Sequence, residues 1–154
     1  MTPFQIAPAL SVAPQLSLSD VADAAAAGVR TLICNRPEGE TPDQPATAAM
    51  RAAAEAHGMT FHHIPVRLAA ITDADVDAFG AALTGDAGPA LAYCGSGLRV
   101  ATLWALWQAG SEGGAPTDAL LAAAREAGFD LSPLRARLVA RADGRADGRA
   151  APGA

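Results

Sequence analysis

The chain contains no lysine: all eleven of its basic residues are arginine, and sixteen acidic residues outnumber them. The formal net charge is -5 and the pI is near 5.0. Proteins that bind nucleic acid usually present a basic patch or stripe to the phosphate backbone. The composition therefore argues against a nucleic-acid partner.

Long apolar runs are also missing. No stretch approaches the roughly 20 apolar residues of a membrane-spanning helix, and residues 1–5 lack the basic and apolar regions of a signal peptide. These absences predict a cytoplasmic protein without a membrane partner. With 154 residues, 51% of them hydrophobic, the chain is long enough to bury one core.

Residue types that bind metals are few and badly spaced for the purpose. Adjacent residues of a strand point to opposite faces, so His62 and His63 cannot share a metal ion. We expect neither a metal nor another cofactor. Cys34 and Cys94 could pair by count, but a reducing cytosol argues against a structural disulfide.

The most informative segment is a cysteine followed by a glycine-rich turn, an arginine and an apolar run that is typical of a helix. We call residues 94–99 the cysteine loop; its predicted catalytic residues are Cys94 and Arg99. Glycines allow successive backbone N–H groups to turn toward a bound anion. The anion-binding residues predicted here are Gly95, Ser96, Gly97, Leu98 and Val100.

Each part of that segment has a chemical reason. Backbone donors, the positive end of the following helix and the guanidinium of Arg99 all favour the thiolate form of Cys94. The planar fork of an arginine can hold two oxygens of an anion at once. The order of strand, cysteine, glycines and arginine predicts a nucleophile that attacks phosphorus or sulfur in an oxyanion.

Strand and helix patterns alternate along the chain, which predicts an α/β protein with a parallel or mixed sheet between helices. Strands are predicted at residues 9–15, 29–35, 59–66 and 89–93, and helices at 21–27, 45–57, 73–83, 100–109, 119–127 and 133–140. Residues 1–140 form the predicted catalytic domain. The repeated tetrad in residues 141–154 is polar and glycine-rich, so it predicts a disordered tail.

Ligands of such sheets bind beyond the carboxyl ends of the strands, where Cys94 should meet several accessory candidates. Arg36 could contact the substrate anion or be held by Glu38 or Glu40. Arg67 follows another strand. Cys34 could act as a resolving thiol for Cys94, although a small residue that fills a central strand is the commoner role.

Four motifs in this order resemble a known family: residues 35–40 (Asn-Arg-Pro-Glu-Gly-Glu), 63–66 (His-Ile-Pro-Val), the cysteine loop and 103–106 (Leu-Trp-Ala-Leu). They are similar to the bacterial phosphatase-like domain of the beta-lactamase hydrolase-like proteins, sometimes labelled a sulfur transferase. The resemblance covers residues ~5 to ~140. It implies the three-layer fold of tyrosine and dual-specificity phosphatases, with a mainly parallel central sheet, and a thiophosphate intermediate on Cys94.

The chain departs from tyrosine phosphatases in three ways. Their loop is one residue longer between cysteine and arginine, whereas rhodanese-type sulfurtransferases have the shorter loop seen here. Val100 stands where a Ser or Thr hydroxyl usually helps the thiolate to leave. The aspartate that serves as general acid is missing from residues 67–71. Asp73 is the first candidate, although capping of the next helix is the commoner role for an aspartate in that position.

Three functions follow from these features. The first is a cysteine-dependent hydrolase of a phosphate monoester. The second is a rhodanese-like sulfurtransferase that carries a persulfide on Cys94. The third is a catalytically weak module that binds anions or senses oxidants. In each case the expected partner is a small anion, either a phosphate ester or a sulfur oxyanion or persulfide.

Overall fold

The computed structural model describes residues 2–86 and 88–150, with side chains as far as residue 145. Its sheet has five strands in the order β1-β2-β5-β3-β4. The strands are β1 (Phe4–Ala7), β2 (Leu10–Ala13), β3 (Thr31–Cys34), β4 (Thr60–His63) and β5 (Ala90–Tyr93). β1 pairs antiparallel with β2, and the other neighbours are parallel.

Helices cover both faces of the sheet. They are α1 (Leu18–Ala26), α2 (Thr47–Ala56), α3 (Asp73–Gly85), α4 (Leu98–Gly110), α5 (Thr117–Glu126) and α6 (Arg135–Ala150). α1 and α2 pack on one face, around Leu32, Leu91 and Tyr93. The four helices α3 to α6 form the layer on the other face, around Ile33 and Ala92. The predicted α/β fold with a mainly parallel sheet is confirmed.

The helix starts follow the capping signals in the sequence. Ser17 accepts a hydrogen bond from the Asp20 N–H, whose carboxylate accepts one from the Ser17 N–H in return. Thr72 and Asp75 form the same reciprocal pair before α3. Such a box satisfies two N–H groups that a helix start leaves without partners. These pairs fix where the loops from the carboxyl edge of the sheet enter the helical layers.

Two features of the fold differ from the sequence prediction. β1 is absent from the predicted strands; it adds an antiparallel edge through the tight turn at Pro8 and Ala9. The prediction of disorder from residue 141 onward is wrong for the first part of that segment, because α6 continues to Ala150. Residues 151–154 of the predicted tail lie outside the described residues.

Arginines explain why α6 extends so far. Arg141 Nε donates to the carbonyl oxygen of Leu106 at 2.6 Å, and Arg145 Nη1 donates to that of Ser111 at 2.7 Å. Arginine side chains can donate hydrogen bonds to backbone carbonyls near the C-terminal end of a helix. Arg141 and Arg145 lie four residues apart and therefore share one face of α6. These two hydrogen bonds attach α6 to the end of α4, although this part of α6 has no apolar pattern in its sequence.

No helix within the described ranges is long and apolar enough to cross a bilayer.

Candidate active site

Cys94 lies directly after β5, at the carboxyl edge of the sheet, and is fully buried. Its sulfur accepts a hydrogen bond from the Gly97 N–H at 3.0 Å. Its own N–H donates to the carbonyl oxygen of Ala13 at 3.4 Å, which joins the cysteine loop to β2. A backbone N–H that points at the sulfur stabilises negative charge there. The loop therefore directs a backbone donor at the sulfur of Cys94.

Gly97 is the pivot of the loop because it precedes the first turn of α4 in a left-handed conformation, with φ of 98°. A Cβ at this position would lie 2.8 Å from Phe129 Cζ and 3.1 Å from Val12 Cγ1. Only glycine combines this backbone angle with this close approach. The positive end of α4 consequently faces the sulfur of Cys94.

Arg99 stands on the first turn of α4 and makes a two-pronged contact. Its Nη1 and Nη2 donate to the two carboxylate oxygens of Glu40, each at 2.8 Å. Nη1 also donates to the carbonyl oxygen of Val66 at 3.1 Å. The hydrogen bonds that Arg99 donates to Glu40 raise the pKa of Arg99, so the guanidinium stays charged. A Cβ at Gly95 would lie 3.3 Å from Nη2, which places the guanidinium against the loop.

Glu40 is the residue that arranges both arginines. Arg36 Nε donates to the same Oε1 atom at 2.9 Å, so one carboxylate joins Arg36 to Arg99. The hydrogen bonds from Arg99, and then those from Arg36, lower the pKa of Glu40 to about 2. The carboxylate is therefore ionised throughout the neutral range, and it balances one of the two positive charges beside the loop.

Arg36 is held by side chains of the protein. Besides its contact with Glu40, its Nη1 donates to Gln15 Oε1 at 3.0 Å and its Nη2 to Thr41 Oγ1 at 3.4 Å. All three of its nitrogens are thus engaged within the protein. Of the two roles that the sequence leaves open for Arg36, the structure supports the one in which a loop glutamate holds it.

Sequence reasoning missed two members of this network. Glu40 appeared only as a partner for Arg36, and its contact with Arg99, 59 residues away in the chain, has no local signal. Gln15 was not singled out at all; its N–H donates to the Gly95 carbonyl at 3.3 Å, beside the cysteine loop. The sequence signal for Glu40 is its position in the loop after β3, because a carboxylate is unusual beside a predicted anion site.

The two cysteines lie in different layers. Cys34 packs with the α1 and α2 layer, and Cys94 packs with the layer of α3 to α6. Burial raises the pKa of the Cys34 thiol, and its sulfur contacts the Arg36 carbonyl oxygen at 3.6 Å. This arrangement fits a small residue that fills a central strand. It does not bring the two thiols to one face for a resolving role.

The remaining candidates differ in their burial. Val100 is fully buried and Leu98 half-buried, so they anchor α4, while Ser96 is exposed at the loop tip. Arg67 lies in the loop after β4 and is exposed. Asp73 is held elsewhere: its Oδ1 accepts from Arg141 Nη1 at 3.0 Å, toward the far end of α4.

Comparison with known proteins identifies the family of this chain. Residues 4–113 match the model of the "Beta-lactamase hydrolase-like protein, phosphatase-like domain". The chain belongs to this family. A beta-lactamase hydrolase-like protein of Agrobacterium fabrum is 38% identical over 100 residues, which are 65% of this chain and 23% of that protein. The chain thus spans about a quarter of the length of the curated relatives it matches.

Solved structures agree with the family. A candidate phosphatase, nma1982 of Neisseria meningitidis Z2491, is 36% identical with a TM-score of 0.79, covering 89% of this chain and 96% of that one. TpbA of P. aeruginosa, solved in complex with pTyr, is 18% identical with a TM-score of 0.65, covering 95% and 91%. The family domain of this chain therefore has the fold of the tyrosine-phosphatase-like proteins.

The ionised Glu40 predicts a pH-dependent stability. Its pKa in the folded protein, about 2, lies below the ordinary value of 4.5. The ion pairs therefore stabilise the fold fully above about pH 4.5, and that contribution is lost as the pH falls toward about 2. We expect the stability difference between the wild type and Glu40→Gln to be largest near pH 7 and to shrink on acidification.

Urea unfolding at a series of pH values measures this difference. Asp118→Asn is the matched control, since Asp118 pairs with Arg135 at 2.7 Å but its side chain is 84% exposed. An exposed pair contributes little, so this variant should follow the wild type at every pH. A constant difference between the wild type and Glu40→Gln down to about pH 2 would contradict the assignment.

Proposed function

We propose that this chain is a cysteine-dependent hydrolase of the phosphatase type that acts on a phosphate monoester through Cys94. The observation that carries the proposal is the sulfur of Cys94, which accepts the Gly97 N–H at 3.0 Å beside the guanidinium of Arg99. A nucleophile, a donor loop and a fixed positive charge are the parts that phosphoryl transfer needs. Family membership and the similarity to nma1982 support the same reading.

The proposed reaction has two steps. The sulfur of Cys94 attacks phosphorus, an S–P bond forms, and the P–O bond to the leaving group breaks with its electron pair on oxygen. Water then attacks the phosphocysteine, the S–P bond breaks, and the thiolate of Cys94 is restored. The loop N–H groups and Arg99 hold the phosphoryl oxygens in both steps. The pTyr bound to TpbA makes an aryl phosphate the natural first substrate to test.

The second candidate is a sulfurtransferase. Only four residues separate Cys94 from Arg99, and a tighter ring of donors suits a smaller anion or a persulfide. In this reaction Cys94 attacks the outer sulfur of thiosulfate, sulfite departs, and the persulfide sulfur passes to cyanide or a thiol. Such a transfer needs no proton for the leaving group.

Trapping the covalent intermediate separates the candidates. The purified protein is mixed with nitrophenyl phosphate in one reaction and with thiosulfate in another, quenched in acid, and mapped by peptide mass spectrometry. We expect phosphate on the Cys94 peptide in the first reaction. Cys34→Ser serves as the control for a second thiol and should be modified at Cys94 like the wild type.

The outcomes are distinct. Phosphate on Cys94 together with released phosphate supports the hydrolase. A persulfide on Cys94 with thiocyanate formed from added cyanide, and no phosphocysteine, makes the chain a sulfurtransferase instead. If Cys94 remains unmodified in both reactions, the hydrolase proposal is overturned in favour of a module that only binds anions.

A further inference from the structure

Among the side chains that the structure describes, the groups considered below as proton donors to a leaving group at the cysteine loop are engaged in other contacts. A proton donor is important because the oxygen of an ordinary alcohol or phenol departs slowly from a phosphate ester unless it is protonated as the P–O bond breaks. Given the proposed phosphatase function of Cys94, the way in which the leaving group departs determines the class of substrate that this site accepts.

The segment after β4 is the first place to look for an acid, because the Val66 carbonyl accepts a hydrogen bond from Arg99. The next residues are Arg67 and the short 3-10 helix Leu68–Ala70, all of them exposed. A guanidinium does not serve as a general acid, and the side chains of the 3-10 helix carry no ionisable proton. Leu68 is 48% exposed, so this segment presents an apolar side chain to solvent.

The carboxylates that could serve as the acid act as acceptors. Glu40 receives three hydrogen bonds from Arg36 and Arg99, and its ionised form is strongly favoured. Asp73 accepts from Arg141, and Asp75 accepts from the Thr72 N–H at 2.9 Å in the cap of α3. Each of these carboxylates would have to lose its existing partners to carry a proton.

The two imidazoles of β4 are directed away from the cysteine loop. His63 pairs in register with Cys34, so its side chain shares the face of the sheet opposite Cys94, and its Nε2 lies 2.9 Å from the Arg36 carbonyl oxygen. This distance fits an Nε2–H that donates to that oxygen. His62 Nε2 lies 3.1 Å from Asp86 Oδ2, near the start of β3. Over the side chains that the structure describes, neither ring faces the cysteine loop.

We propose that the substrate of this site is a phosphate whose leaving group departs as a stable anion without taking a proton from the protein: an acyl phosphate, a phosphoanhydride or the ester of an acidic phenol. Cys94 forms the S–P bond, and the electron pair of the broken P–O bond stays on the departing carboxylate, phosphate or phenolate. Esters of serine, threonine and tyrosine side chains fall outside this class.

A series of aryl phosphates of graded leaving-group acidity tests the proposal. We expect kcat/KM to fall steeply from dinitrophenyl to nitrophenyl to phenyl phosphate, by about 10² or more in all, because a general acid usually supplies a factor of 10²–10⁴. kcat/KM reports the steps up to cleavage of the P–O bond, so a slow second step cannot mask the trend. Acetyl phosphate should react at least as fast as nitrophenyl phosphate.

Size and background need controls of their own. A methylphenyl phosphate is close in size to the nitrophenyl ester but has a poor leaving group, and it should react as slowly as phenyl phosphate. Cys94→Ser gives the background rate for each ester.

The two proposals fail in different ways. Comparable kcat/KM values for the whole series, each dependent on Cys94, would overturn this inference and leave the phosphatase function intact. Absence of turnover that depends on Cys94, even for the dinitrophenyl ester and acetyl phosphate, would overturn the phosphatase function itself.

Discussion

Replacing Cys94 with serine is expected to abolish turnover of an activated aryl phosphate, with a loss of about 10⁴-fold or more in kcat, while the fold is retained. A serine hydroxyl ionises far less readily than a thiol, so the nucleophile disappears. Its oxygen can still accept the hydrogen bond that the Gly97 N–H now gives to sulfur. Affinity for inorganic phosphate should therefore stay within about threefold of the wild type, because the loop donors and Arg99 remain.

Cys34→Ser is the matched control, since Cys34 is equally free of disulfides and equally buried. It faces the α1 and α2 layer, so activity should stay within about threefold of the wild type. Initial rates and phosphate titration calorimetry on both variants make the comparison. A parallel loss of activity in Cys34→Ser would show that the two thiols act together, and would contradict the separation of the layers.

Most of the fold was predictable because its signals are local. The strand at β5 is an apolar run bounded by Gly88 and the cysteine loop, and α3 begins at a Thr72 and Asp75 pair that any helix start would favour. The loop was predictable for the same reason: Cys94, its glycines and Arg99 are neighbours in sequence. Backbone geometry then follows from residue types alone.

What escaped prediction depends on contacts between distant residues. β1 is a short edge strand with exposed residues at Phe4 and Gln5, and its alternation is too brief to separate from loop. α6 has a polar, glycine-containing sequence that disfavours helix, and it is held by hydrogen bonds from Arg141 and Arg145 to the end of α4. Tertiary contacts outweighed local propensity there.

The site likewise combines features with local sequence signals and features that depend on distant contacts. The shared loop of Cys94 and Arg99 could be predicted, but its electrostatic setting could not. Glu40 reaches Arg99 from the loop after β3, and together with Arg36 it makes an Arg–Glu–Arg cluster at the mouth of the cysteine loop. A carboxylate beside an anion site opposes substrate binding by its charge and fixes the guanidinium by its geometry. The second effect explains why a negative group is tolerated in that position.

The geometry of Gly97 leads to the second large effect, that of Gly97→Ala. An added Cβ would meet Phe129 Cζ at 2.8 Å and Val12 Cγ1 at 3.1 Å, inside the core, at a φ of 98°. The left-handed backbone alone costs a residue with a side chain about 1–2 kcal/mol, and the forced contacts add about 1–3 kcal/mol. Relief of those contacts must move the N–H that points at the Cys94 sulfur. We therefore expect kcat/KM to fall by about 10² or more.

Gly28→Ala isolates the backbone part of this effect. Gly28 has nearly the same φ, 94°, but a Cβ there would meet nothing within 4 Å, and the residue lies after α1, away from the carboxyl edge of the sheet. Its substitution should lower the free energy of unfolding by about 1–2 kcal/mol and leave kcat/KM unchanged. Urea unfolding and steady-state rates on both variants give the comparison. Equal losses of stability, with full activity in Gly97→Ala, would mean that the loop can move without disturbing the sulfur, and that the Gly97 N–H is not part of the chemistry.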